Sequence, residues 1–342
     1  MKLSKWSVLI CTLLVGALLL SACGGGAEPP PPEATEPPPP TEAPAPTSTS
    51  APPTATPVPE TPTPAPTDTP AGPPPGTEEN PIVIAVVDIS GFTFGQVVTG
   101  LLAEETGLAI ESPAFTSDGE LVDSLTAGET PHGIIAFPPG YLVAHEQYGY
   151  EVAAVGTQLG GEVGYTAEVI AGAGTGIDSL SDVAGRSICW GNPQFLAGSR
   201  VQRLMLLAEG IDPTSDLGEE TELLTHDLVT TAVYNGDCEV GTVFGGARNR
   251  LENKYPDVLD KVVIVAESPL IPSMSLSFAA GVPDDVKEAL IEGFLAVAGR
   301  DDGAQALQMA YGWDTIQEAD DSLYEPLREL IRAAKAELDA LL

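Results

Sequence analysis

From residue 82 onward the chain predicts an α/β fold of two lobes with mainly parallel sheets, and three observations carry that reading. Short apolar runs bounded by Gly or Pro fall at residues 82–87, 133–137, 187–190 and 240–244, a length and composition that suit buried strands. Helix-like segments lie between them, at 95–105, 120–127, 200–209 and 228–235. Residues 82–342, 261 in all, suffice for two lobes of ordinary size. On such sheets ligands sit beyond the carboxyl ends of the strands, which makes Asp88 and Ser90, at the end of the first run, expected cleft residues.

The chain ahead of this part has a different character. Lys2 and Lys5 precede an apolar segment at 8–20 that is short for a membrane span and ends in small residues, as an export signal does. Leu20-Ser21-Ala22-Cys23 resembles the lipobox of bacterial lipoproteins. That resemblance implies removal of residues 1–22 and a lipid on Cys23, the alternative being an ordinary secretory signal with an incidental cysteine. Residues 24–81 hold 22 of the 33 prolines and almost no large apolar side chains. Such a segment cannot bury a core; it favours extended polyproline-like conformations and reads as a disordered Pro/Thr-rich tether, residues 23–81, with a reach on the order of 150 Å. A proline-rich recognition segment is the weaker alternative.

Charge and cysteine content narrow the function further. From residue 82 there are 41 acidic and 12 basic residues, a net charge of −29, which argues against nucleic acid or an anionic membrane surface as partner. No Lys or Arg occurs between Lys5 and Arg186, so the first half of the folded part must grip its ligand without cationic side chains. His132, His145 and His226 are far apart and no Cys/His cluster has metal-ligand spacing, so neither a metal nor another cofactor is expected. An exported protein permits a disulfide between Cys189 and Cys238. The expectation is against one, because Cys189 lies late in its strand and Cys238 at the start of another, ends that parallel neighbours hold apart.

Several motifs in the C-terminal two-thirds point the same way. Residues 172–189, with Gly172, Asp178, Asp182, Gly185 and Arg186, are followed by Asn192-Pro193 with Gly198, by Thr225-His226-Asp227 and by Asn235-Gly236-Asp237. Glu267-Ser268-Pro269-Leu270-Ile271-Pro272, Tyr311-Gly312-Trp313, Asp321 and Tyr324-Glu325-Pro326-Leu327 come after them, and Phe137-Pro138-Pro139-Gly140-Tyr141 comes before. In their order and spacing these are similar to the solute-binding proteins of phosphate, phosphite and phosphonate ABC transporters. The resemblance implies a type II periplasmic-binding-protein fold with two α/β lobes joined by two crossover strands. Lobe 1 would comprise 82–170 and 266–342, lobe 2 residues 171–265. It further implies a monomer that closes on a small-molecule solute by hinge motion and is read by an ABC permease in the membrane. No nucleophile elbow, zinc pair or convincing carboxylate pair is present, so binding rather than catalysis is expected, with hydrolase activity and a sensor coupled to a signalling receptor as the competing readings.

In that family a loop of Ser and Thr at a helix N-terminus offers hydroxyls and amides to an oxyanion. In the register set by Pro193 and Gly198, the hydroxyl positions here are Phe195, Leu196 and Ala197, which disfavours a bare dianion and suits an organic solute with an anionic group and an apolar part. Ser199 supplies a hydroxyl if the register is shifted. Asn192, Phe195, Ala197, Gly198 and Ser199 are therefore expected at the ligand, and Arg200 as the cation that lobe 1 lacks. His226 either meets the ligand or stands at the start of a helix that Asp227 caps. Phe137, Tyr141, Tyr165 and Ser268 are expected to line the cleft, with packing as the alternative role for the two tyrosines.

Overall fold

The computed structural model describes residues 73–88, 94–158 and 160–342, together with the side chains of all of these except residues 339 and 340. Residues 1–72, where the export signal, the lipidated Cys23 and most of the tether are expected, and Ser90 lie outside the described residues. In chain order the elements are β1 (Ile82–Val87), α1 (Phe94–Thr106), β2 (Ile110–Glu111), β3 (Ala114–Phe115), α2 (Asp118–Thr126), β4 (Gly133–Ala136), α3 (Pro138–Tyr148) and β5 (Glu151–Thr157). Then come β6 (Gly164–Tyr165), β7 (Ala167–Gly172), β8 (Ile188–Trp190), α4 (Val201–Glu209), β9 (Glu220–Glu222), α5 (His226–Asn235), β10 (Val240–Phe244), α6 (Val258–Lys261) and β11 (Val262–Glu267). The chain closes with β12 (Ile271–Pro272), β13 (Ser275–Phe278), α7 (Asp284–Ala298), α8 (Asp301–Tyr311), β14 (Thr315–Glu318) and α9 (Glu325–Ala333).

Two sheets divide these strands. The first runs β14-β5-β13-β4-β1-β2, with β3 also on β1; the second runs β11-β7-β10-β8-β9. Between them in sequence lies the antiparallel ribbon β6-β12, where Tyr165 faces Ile271. The chain thus enters the second sheet through β6 and leaves it through β12. The sheets are mixed, not mainly parallel as expected: β1 pairs in parallel with β2, β3 and β4, and β8 with β9 and β10, but β13, β14, β7 and β11 run antiparallel to their neighbours. β7 and β13 follow the ribbon strands β6 and β12 directly, whereas β11 and β14 each follow a helix, α6 and α8, and the short apolar runs used to infer strands contain no signal for their direction.

Local chemistry explains the helix starts that border the region between the sheets. Ser117 caps α2 by accepting the Glu120 amide at 3.1 Å, while Glu120 Oε2 accepts the Thr116 amide at 2.7 Å, a capping box reaching one residue further back. Pro138 and Pro139 open α3, where the missing amides would have no helical partner. Thr225 caps α5, so Asp227 is not the cap considered above; it lies inside the first turn, where its charge still favours the helix dipole. Gly156 in β5 lies against the Trp313 indole, which occupies the space a β-carbon would need.

Each sheet has its own apolar core. Ile82, Ile84, Leu102, Ile134, Phe294 and Trp313 belong to the first, and Val169, Ile188, Trp190, Val201 and Leu206 to the second. The second core also takes Tyr141 from α3 and Tyr324, Leu327 and Ile331 from the C-terminal segment. Cys189 and Cys238 form a disulfide, contrary to the expectation, with Cα atoms 5.8 Å apart. Parallel register puts Gly241 opposite Cys189, but Cys238 is not yet in the strand. It follows the left-handed Gly236 that ends α5, and this turn carries it across to Cys189 beneath Val229 and Val233.

Candidate functional site

A cleft of about 410 Å³ opens between elements of the two sheets. Thr116, Ser117, Asp118, Gly119 and Phe137 form one wall, Gln194, Phe195, Leu196 and Arg200 the other; Tyr165 of the connecting ribbon and Leu342 complete it. The first wall is the N-terminal turn of α2 and the end of β4. The second is the loop after β8 and the π-helical turn Leu196–Arg200 that leads into α4.

The loop is held rigidly from beneath. Asn192 Oδ1 accepts the Gln194 amide at 2.9 Å, and the Gly191 amide donates to the Gly198 carbonyl at 2.9 Å. Gln202 is fully buried, and its Nε2 donates to the carbonyls of Ala197 at 2.7 Å and Val243 at 3.0 Å. These bonds bury Ala197, Gly198 and Ser199 and turn Phe195 outward, 45% exposed, over the cleft. Arg200 donates from Nε to the Pro193 carbonyl at 2.8 Å and from Nη1 to that of Leu341 at 2.6 Å. Its charge stays at the cleft while two of its donors brace the loop and the C-terminal segment.

On the opposite wall Asp118 Oδ1 accepts the Phe137 amide at 3.1 Å. Gly140 allows this approach, since a β-carbon there would collide with the carboxylate. Burial lifts the Asp118 carboxyl to about 7, against the lowering effect of the Phe137 and Gly140 amides and the Arg200 charge. Burial, with the neighbouring Asp118 charge, also pushes the Tyr165 phenol up. A carboxyl lifted toward neutrality, in a cleft lined by Arg200 and by Phe137, Tyr165, Phe195, Leu196 and Leu342, can exchange a proton or hydrogen bond with a bound molecule.

Of the residues expected at the ligand, the structure brings Phe137, Tyr165, Phe195 and Arg200 together here. Tyr141 instead takes the packing role: it is fully buried against Tyr324, and its hydroxyl donates to Asp321 at 2.8 Å. Asp88 is buried at the end of β1, its amide donating to Phe115. Ser268 Oγ accepts the Ala167 amide at 2.9 Å and donates to the Pro269 carbonyl at 2.7 Å, which fixes the return from the second sheet. His226 starts α5, where Nδ1 accepts the Phe244 amide at 3.3 Å and the ring packs edge-on to Phe244; burial lowers its pKa. Asp227 pairs with Arg250 at 3.8 Å. These two, with Asn192, Ala197, Gly198 and Ser199, lie off the lining of the cleft. Asp118 was not anticipated, although Thr116-Ser117 with Glu120 is a helix-start signature directly after a strand and marks this turn in the sequence. Among the described residues no group of three or more His, Cys, Asp or Glu side chains is placed to hold a metal ion.

The family model described as ABC transporter, phosphonate, periplasmic substrate-binding protein matches residues 96–324. The chain belongs to this family. A curated relative, the phosphate-import protein PhnD of Mycolicibacterium smegmatis, is 25% identical over 154 residues, which are 42% of this chain and 47% of that protein. The chain thus spans about half the length of this relative. Among solved structures, a binding protein component of an ABC phosphonate transporter from Pseudomonas aeruginosa aligns with a TM-score of 0.50 at 19% identity, over 77% of this chain and 87% of that one. PhnD1 of Prochlorococcus marinus in complex with methylphosphonate aligns at 0.51 and 10% identity, over 75% and 98%. A Xanthomonas citri protein bound to ATP aligns at 0.54 and 17%, over 74% and 96%. At these identities the structures establish the fold, a two-lobed type II periplasmic-binding-protein architecture, and the family match agrees with it.

Proposed function

We propose that this protein is the solute receptor of an ABC importer, held to the outer face of a membrane by a lipid on Cys23 and closing its two lobes on a small organic solute that carries an anionic group and an apolar part. The observation that carries this reading is the cleft itself. Its two walls come from different sheets, and only a short two-stranded ribbon joins those sheets in sequence. A solute bridging the walls would couple occupancy to hinge closure, the shape change a permease reads. The solute's anionic group is set by Arg200, the only Lys or Arg among the described residues that line the cleft, and its apolar part by Phe137, Phe195 and Leu196.

Phe195 and Leu196 stand where the family has hydroxyls, so inorganic phosphate is a poor fit: a dianion would give up hydration to face phenyl and isobutyl groups. The test is a calorimetric screen of phosphate, phosphite, alkylphosphonates, sulfonates and small heterocycles against the full chain. Organic anions are expected to bind, with affinity that depends on residues 194–199. Tight binding of inorganic phosphate that survives replacement of those residues would remove the argument from the altered loop.

A further inference from the structure

The cleft holds two opposite charges with apolar faces between them. Asp118 stands on one wall and Arg200 on the other, near enough for the Arg200 charge to act on the Asp118 carboxyl. Asp118 is not a surface acid that drifted inward. Its Oδ1 is fixed by the Phe137 amide at 3.1 Å, its place at the start of α2 is set by the Ser117 cap, and a glycine at 140 makes room for it. Arg200 is equally fixed by the Pro193 and Leu341 carbonyls.

We infer that the solute is a zwitterion with an apolar body: a protonated amine on Asp118, a singly charged anionic group on Arg200, and the body between Phe137 and Phe195. This rests on the solute-binding reading above and narrows it. A dianion would bring two negative charges to a cleft with one guanidinium and a facing carboxylate. A simple anion would leave the Asp118 carboxyl with backbone amides and no opposite charge from the solute, and a simple amine would leave Arg200 with the Pro193 and Leu341 carbonyls and no anionic partner from the solute. A zwitterion satisfies both walls at once. The groups facing the Asp118 carboxyl are Arg200, the Tyr165 phenol and the amides of Phe137 and Gly140, so the incoming ammonium is the charge that draws off its proton.

The test uses two pairs of compounds that differ only in the amine: phenylalanine against 3-phenylpropanoate, and α-aminobenzylphosphonate against benzylphosphonate, titrated calorimetrically into the full chain. In whichever pair binds, the amine-bearing member is expected to bind about tenfold tighter or more, as a charge-assisted hydrogen bond provides. Asp118→Asn keeps an acceptor for the Phe137 amide and should bring the ratio of the two affinities within a pair down to about one. With phenylalanine, affinity should rise about tenfold from about pH 6 to pH 8, as the carboxyl goes from about one-tenth to nine-tenths ionised. Equal or tighter binding of the amine-free member in either pair overturns the zwitterion and leaves the receptor reading standing. An unchanged preference in Asp118→Asn overturns the role of Asp118. No binding in either pair at about 1 mM, the weak end of useful affinity, counts against the zwitterion and against the anionic-apolar solute together.

Discussion

At the scale of single residues, Arg328 shows how a cation is held in an acidic protein. Only 7% exposed, it clasps Asp321 through Nη1 and Nη2 at 2.8 and 2.7 Å, and the Tyr141 hydroxyl adds a third bond to the same carboxylate. Burial works to raise the Asp321 pKa, but the Arg328 and Tyr141 hydrogen bonds outweigh it and hold the carboxyl below its ordinary 3.8. The folded-state pKa is depressed, so the stability this group contributes is present above its unfolded value and is lost as pH falls through the folded one. Asp321→Asn is expected to reduce unfolding free energy by about 2 kcal/mol at neutral pH, less than for a fully buried pair because Asp321 is partly exposed to solvent. Urea denaturation of the variant checks it, and the difference from the parent protein should shrink in acid. Asp321 was visible in the sequence only as part of a family-like tail; that its partner would be Tyr141, 180 residues away, was not. Separations of that kind leave no periodicity or local pattern to read.

At the scale of elements, the disulfide and the loop after β8 are the informative cases. The Cys189–Cys238 bond closes a 49-residue separation that contains α4, β9 and α5. Opening it by a double Cys→Ser substitution is expected to lower stability by about 2–4 kcal/mol, chiefly by freeing the unfolded chain, and to lower Tm in a calorimetric scan. The strand argument against the bond failed because it placed Cys238 in β10, whereas the α5 turn delivers it sideways; element boundaries are where local patterns say least. The loop shows the opposite. That no hydroxyl residue stands between Pro193 and Gly198 was legible directly, and the structure adds how the residues there differ: Phe195 turns out to the cleft while Ala197 is pinned inward by Gln202. Gln202→Leu removes that clamp and the bonds it gives the Ala197 and Val243 carbonyls. It should cost about 2 kcal/mol, and hydrogen exchange over residues 195–199 should accelerate. Unchanged exchange there would mean that Gln202 does not hold the loop.

At the scale of the whole molecule, the predictions concern motion and place. If the lobes close on a solute, small-angle scattering should show a decrease in radius of gyration on saturation with whichever compound binds, and none in its absence. Cys23→Ala should release the protein from membranes into the soluble fraction; continued membrane retention would refute the lipid anchor.

By itself the sequence determined the α/β class, the change at residue 82 from a proline-rich segment to a chain able to bury a core, the family, and the absence of hydroxyl residues between Pro193 and Gly198. All of these are written in composition or in residues close together along the chain. The tertiary structure alone decided which of the named side chains share a cleft. It tied the Tyr141 hydroxyl to Asp321, Ser268 to the Ala167 amide and His226 to the Phe244 amide, joined Cys189 to Cys238, and brought Asp118 and Arg200 to one cleft. Those outcomes depend on strand direction and on the angle at which a turn releases the chain, and neither leaves a mark in local composition, because the same short apolar run pairs equally well either way.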